Sequence, residues 1–121
     1  MTEVKNSKQY DLEERTLRFA KEVIEFAKNL PKTIANVEII KQLIRSSGSV
    51  GANYIEANEA LSKRDFLMRI KICRKEAKES RYWLRLIEVR GEDAEGRNQS
   101  LISEATELMK IFGSIVEKTK P

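Results

Sequence analysis

Two carboxylate pairs, Glu56 with Glu59 and Glu76 with Glu79, and one cysteine, Cys73, are the residues best suited by type and spacing to carry chemistry. A Glu-x-x-Glu step sets two carboxylates on one helix face, and facing pairs of this kind can hold two metal ions in a four-helix bundle. That arrangement normally adds a His three residues after a Glu, and this sequence has no His. Antiparallel pairing about Ser62 would also set Glu56 level with Met68 or Arg69, leaving Glu76 about two turns, roughly 10 Å, farther along. Ion pairing of Glu56 with Arg69 is the expected use, and neither a metal nor another cofactor is expected. Cys73 has no His to draw off its proton and falls on an apolar seam, so a packed, inert thiol is expected. Gly48-Ser49-Val50-Gly51 has neither the preceding strand nor the following Gly-Lys-Ser/Thr of a phosphate loop. No catalytic residue emerges, and the chain is not read as an enzyme.

The cations are the larger chemical resource. Lys and Arg total 23 against 19 Asp and Glu, a formal net charge of +4. Ser62–Gly91 alone holds ten cations against Asp65, Glu76, Glu79 and Glu88, a surplus of six, so the rest of the chain carries a deficit of two. A stripe of this sign attracts phosphate backbones by Coulomb attraction and counterion release. Its candidate nucleic-acid contacts are Arg69, Lys71, Arg74, Lys75, Lys78, Arg81, Arg85 and Arg90. A solvated helix face laced with its own ion pairs would have the same composition. Tyr82 and Trp83 lie beside Arg81 and Arg85, where a flat ring could stack on unpaired bases. The same segment carries Met68, Ile72 and Leu86 beyond its core stripe, and Trp, Tyr and Met favour subunit contacts. The preferred expectation is an oligomer interface of Met68, Ile72, Tyr82, Trp83 and Leu86.

These side chains need elements to hold them. The 121 residues fit one domain, and 40% of them are hydrophobic. No run of 18 apolar residues exists and Met1–Lys5 has no apolar signal core, which leads to the expectation of a soluble, cytoplasmic protein without membrane partners. Residues 1–9 are polar and aperiodic and are expected to fray. Asp11 with Glu14 reads as a capping pair, and Leu12, Phe19, Val23, Phe26 and Leu30 then recur at helical spacing until Pro31. Thr33 or Asn36 can cap a second helix, with a stripe of Ile40, Leu43, Ser47, Val50, Tyr54, Ala57 and Leu61. Its small-residue middle, Ser46–Asn53, costs helix propensity at each Gly, but the period runs through without a slip. Ser62 with Asp65 caps a third helix, whose seam is Phe66, Ile70, Cys73, Ala77, Ser80, Leu84 and Ile87, with Gly91 at its C-terminal cap. Glu92–Asn98 reads as a polar connection before a last helix with Leu101, Ala105, Leu108, Phe112 and Ile115 inward. The expected class is all-α: an antiparallel up-down-up-down four-helix bundle over residues 10–119.

Ser49-Val50-Gly51-Ala52-Asn53-Tyr54-Ile55-Glu56-Ala57 and Lys75-Glu76-Ala77-Lys78-Glu79-Ser80-Arg81-Tyr82-Trp83-Leu84 resemble the bacterial four-helix bundle proteins named after 23S rRNA intervening sequences. Tyr10–Thr16 and Leu43–Ser47 are also similar to that family. The resemblance covers roughly Tyr10 to Phe112. It implies similarity to the accessory variability determinant of diversity-generating retroelements, a homopentameric barrel whose basic surface engages nucleic acid. It further implies that Asn53, Glu56 and Glu79 are semi-buried polar groups needing partners, for which Arg74 and Arg81 are the candidates. The family name records where its genes were found and describes no activity. Two readings stand beside each other. One is a non-catalytic homo-oligomer, a pentamer by resemblance, that binds RNA or DNA, structured RNA foremost, through its third helix. The other is a protein-interaction scaffold whose cations are spent on intersubunit ion pairs.

Overall fold

Apolar residues at steps of three and four commit the chain to helices. The computed structural model describes the backbone of residues 2–121 and the side chains of residues 11–121, and it holds four: α1 (Thr2–Lys28), α2 (Ile34–Asn58), α3 (Lys63–Leu86) and α4 (Glu92–Thr119). The expectation that residues 1–9 fray falls on a segment whose side chains lie outside the described residues. Asp11 is not an N-cap, because helical backbone continues to Thr2 with neither Gly nor Pro to stop it.

The remaining boundaries follow from capping chemistry. Thr33 caps α2 by accepting the Asn36 N–H at 3.1 Å, and Ser62 caps α3 by accepting the Asp65 N–H at 3.0 Å. The Lys32 ammonium closes the end of α1 by donating to the carbonyls of Ala27 and Leu30 at 3.1 and 2.7 Å. Two expectations fail at the α3–α4 link. Residues 92–98 are the first turns of α4, where Glu92, Asp93 and Glu95 complement the positive end of the helix dipole. Gly91 is therefore the N-cap of α4, with φ 95° and ψ 150°, and α3 ends earlier, at extended Ile87. Leu61 is a third failure: α2 stops at Asn58, so the residue that continues its stripe sits in the link, 99% exposed.

The small-residue stretch of α2 is continuous helix, as the unbroken period predicts. Its brevity of side chain lets neighbours close in. The Ser46 and Ser80 hydroxyls meet at 2.9 Å between α2 and α3, and each lies within hydrogen-bond distance of a carbonyl of its own helix, Leu43 at 3.3 Å and Glu76 at 2.9 Å. On the other flank, a Cβ at Gly51 would stand 2.9 Å from Thr16 Oγ1, whose hydroxyl is already committed to the Leu12 carbonyl at 2.7 Å. Gly48 has open space around it. The two glycines should answer oppositely to alanine. Gly48→Ala is expected to stabilise by about 0.5–1 kcal/mol through helix propensity. Gly51→Ala is expected to destabilise by about 1 kcal/mol, because overpacking against Thr16 exceeds that gain. Thermal melts of the two variants should move in opposite directions.

Paired contacts fix the register. Across α2 and α3, Arg45 meets Glu79, Ser46 meets Ser80 and Asn53 meets Arg69, so one number rises as the other falls. Across α3 and α4, Arg81 meets Thr106 while Asn98 donates to the Leu84 carbonyl at 2.9 Å. Arg15 of α1 forms a two-pronged ion pair with Glu104 of α4 at 2.7 and 2.8 Å, a geometry that holds its guanidinium charged. Consecutive helices thus run antiparallel, as expected of the bundle. Phe19, Phe26, Leu43, Ile70, Leu84, Leu108 and Phe112 fill the centre with no more than 2% of their surface exposed. Each contributes about 1.5–3 kcal/mol by leaving water. This core fixes which face of α3 is left outward.

Candidate nucleic-acid interface

With Ile70, Cys73, Ala77, Ser80 and Leu84 buried, the outward side of α3 is set by rotation of about 100° per residue. Lys71, Arg74, Lys75, Lys78, Arg81 and Arg85 then fall within an arc of about 120° facing away from the core and toward α4. All but half-buried Arg81 are exposed. Lys71 to Arg85 spans roughly 21 Å along the axis at 1.5 Å per residue. Arg81 leans on α4 through a 3.4 Å hydrogen bond to Thr106 Oγ1, and Arg74 lies over Gly113, close to where a side chain there would begin.

The other two candidates leave this arc. Arg69 points toward α2 and donates to Asn53 Oδ1 at 3.0 Å, where pairing with Glu56 was expected. Glu56 is exposed, not semi-buried, and the long Arg69 side chain reaches past its level to Asn53, one turn earlier on α2. Arg90 lies beyond the end of α3 and pairs with Glu88. The structure brings six of the eight cations together and separates two.

The partner expected for Glu79 is also corrected. Arg45 of α2, which sequence reasoning passed over, donates to Glu79 Oε1 and comes within 3.5 Å of Glu76 Oε1. The indole N–H of Trp83 donates to the same Glu79 oxygen at 3.3 Å. Arg74 and Arg81 take no part, because they emerge on the α4 side of the helix. Both carboxylates of the Glu76–Glu79 pair are therefore turned toward α2, and the basic arc has no acid of its own helix within it. Asn53 returns an amide hydrogen to the Ser49 carbonyl at 2.9 Å. Glu56 and Glu59 line a separate shallow depression with Asp65 and Arg69.

Beside the arc runs an apolar stripe. Met68, Tyr82 and Leu86 are exposed by 55%, 59% and 51%, and Ile72 and Trp83 are half-buried. Tyr82 and Trp83 contact edge to face, with ring centroids 5.1 Å apart at 75°. Arg64, Lys71 and Lys75 rim a shallow groove of about 360 Å³ floored by Leu67, Met68 and Ile72, which joins arc to stripe.

Cys73 is fully buried, and loss of hydration pushes its thiol up to about 12. An unfolded thiol ionises near 8.5. A folded-state pKa raised above the unfolded one gives stability that is whole below about pH 8.5 and falls as pH rises further. Burial raises the Tyr54 phenol as well, adding a loss of the same sign at higher pH. Native protein at pH 8 is expected to leave Cys73 unmodified by an aromatic disulfide reagent, with one equivalent reacting once denaturant is added. Rapid reaction of the native thiol would contradict the packing described.

Among the described residues, no helix is long and apolar enough to cross a membrane. A family model described as 23S rRNA-intervening sequence protein matches residues 8–114. A crystal structure of a protein with unknown function from the S23 ribosomal protein family of Bacteroides thetaiotaomicron superposes with a TM-score of 0.78. It is 32% identical, and the match covers 91% of this chain and 98% of that one. No curated protein matches the chain.

Proposed function

This chain belongs to the 23S rRNA-intervening sequence protein family, and on that premise we propose that it is a non-catalytic, homo-oligomeric nucleic-acid-binding bundle. The observation that carries the reading is the arc of Lys71, Arg74, Lys75, Lys78, Arg81 and Arg85, free of acids from its own helix. Such cations make contacts to phosphate that position a partner without reading its sequence. Structured RNA is the foremost partner, with DNA open to the same chemistry. The stripe of Met68, Ile72, Trp83 and Leu86, with Tyr82 at its border on the arc, supports assembly, as does a second apolar face on α1 and α2 with Leu17, Ile24, Ile44 and Ile55 exposed by 39–50%. Two unlike apolar faces on one chain suit a head-to-tail ring, and the pentamer implied by the family resemblance is the size we propose.

Filter binding of a 23S rRNA fragment tests the reading. Binding is expected to weaken at least tenfold between about 50 and 200 mM salt, as counterion release requires. No binding, or binding insensitive to salt, would sink it.

A second reading has its own support. Glu22, Glu92, Asp93 and Glu104, with Arg97, line a depression of about 500 Å³ between α1 and α4. That surface could receive the basic arc of a neighbouring copy, leaving no cation for RNA. In that case light scattering would report a fall in mass as salt rises. Under the favoured reading, apolar contacts hold the mass constant.

A further inference from the structure

Tyr82 stands where the basic arc and the apolar stripe of α3 meet, and its chemistry belongs to both. It is 59% exposed, whereas its neighbour Trp83 is half-buried. The edge-to-face contact with Trp83, at 5.1 Å and 75°, braces the phenol from one direction and leaves at least one ring face uncovered by it. The brace is itself fixed, because the Trp83 indole donates to Glu79 and Glu79 is held by Arg45 of α2. On a helix, the residues lying against position 82 are those three and four away. These are Lys78, Glu79, Arg85 and Leu86. The one acid among them is engaged with Arg45 and Trp83, so the charges left beside the ring are the cations Lys78 and Arg85.

We propose that Tyr82 is a stacking platform for an unpaired base, and that the basic face of α3 takes single-stranded segments of RNA in preference to continuous duplex. This rests on the nucleic-acid reading above and names the substrate class within it. The physical basis is a difference between the two forms. A duplex presents phosphates along its sides while its base faces are stacked on one another, so it gains from Lys78 and Arg85 but nothing from an aromatic face. An unpaired nucleotide offers phosphate and base together, and a ring flanked by two cations, each one turn away from it, can take both.

The test compares a 12-nucleotide oligouridine with a 12-base-pair RNA duplex, using full-length protein at about 100 mM salt and the variants Tyr82→Ala, Tyr82→Trp and Lys78→Ala. Tyr82→Ala is expected to weaken single-strand binding by about tenfold while leaving duplex binding within twofold. Tyr82→Trp, which keeps a stacking face, should retain single-strand affinity. Lys78→Ala should weaken both probes alike. Equal loss on both probes with Tyr82→Ala, or no loss on either, overturns the stacking assignment alone. A change in oligomer mass for Tyr82→Ala also overturns it, by placing the ring in a subunit contact. Failure of the wild-type protein to bind either probe overturns the underlying reading together with this one.

Discussion

Replacing Asn36 by Ala is expected to cost about 3 kcal/mol of folding stability, the largest single-residue loss outside the apolar core. The side chain is 1% exposed and makes three hydrogen bonds across the end of the bundle. Its amide nitrogen donates to the carbonyls of Pro31 and Glu88, and its oxygen accepts the Glu88 N–H, all at 2.9 Å. One residue thereby ties the α1–α2 link to the α3–α4 link. Truncation leaves two carbonyls and an amide without partners, each costing about 1–3 kcal/mol where water cannot reach it. Small domains have only about 5–15 kcal/mol in total, so the midpoint of urea unfolding should fall sharply with little change in slope. Asn36→Asp should be at least as damaging, because it removes both donated bonds and sets a charge against two carbonyl oxygens. A loss below about 1 kcal/mol for Asn36→Ala would mean that these links are solvated and independent.

The second large effect concerns binding. Lys71→Ala, Arg74→Ala, Lys78→Ala and Arg85→Ala combined are expected to reduce affinity for an rRNA fragment on the order of a hundredfold at about 100 mM salt. They should also make the slope of log K against log salt shallower by about 3, since roughly four phosphate contacts disappear. All four side chains are exposed and none anchors another residue by a hydrogen bond among the described contacts, so the fold should survive. The matched control combines Arg69→Ala with Arg90→Ala. Those cations lie off the arc, engaged with Asn53 and Glu88, and their loss should change affinity little. Similar losses in both variants would show that net charge, not the arc, governs binding.

Much of this architecture is legible in the sequence, for definite reasons. The period of α2 runs through Ser46–Asn53 because buried serines and a glycine against Thr16 serve packing, which outweighs their poor helix propensity. The caps at Thr33 and Ser62 are local chemistry and were readable as such. Errors gathered where the chain leaves its helices. Leu61 continued a stripe numerically after the helix had ended, and the acidic start of α4 looked like a loop because Gly96 and polar residues hide its period.

The candidate site was partly legible. Eight cations could be named from composition, yet only their rotation about α3 separates the six on the arc from Arg69 and Arg90. That rotation follows from the buried seam at Ile70, Cys73, Ala77, Ser80 and Leu84, which the spacing had already revealed. Arg45 was within reach as well. The register about Ser62 that set Glu56 level with Arg69 also sets Arg45 level with Glu79, the residue it meets. Asn36 was not within reach. Its partner Glu88 is 52 residues away in an irregular link, and no periodicity encodes that meeting.

The central claim, that RNA lies on the outward face of α3, is tested most directly by lysine footprinting of the wild-type protein with and without an rRNA fragment. Acylation read by mass spectrometry should show Lys71, Lys75 and Lys78 protected by bound RNA. Lys28, Lys41 and Lys120, which lie outside α3 and pair with acids three residues before them in the chain, should label equally in both samples. Protection confined to Lys28, Lys41 or Lys120, or none on α3 under conditions where RNA is bound, would contradict the account.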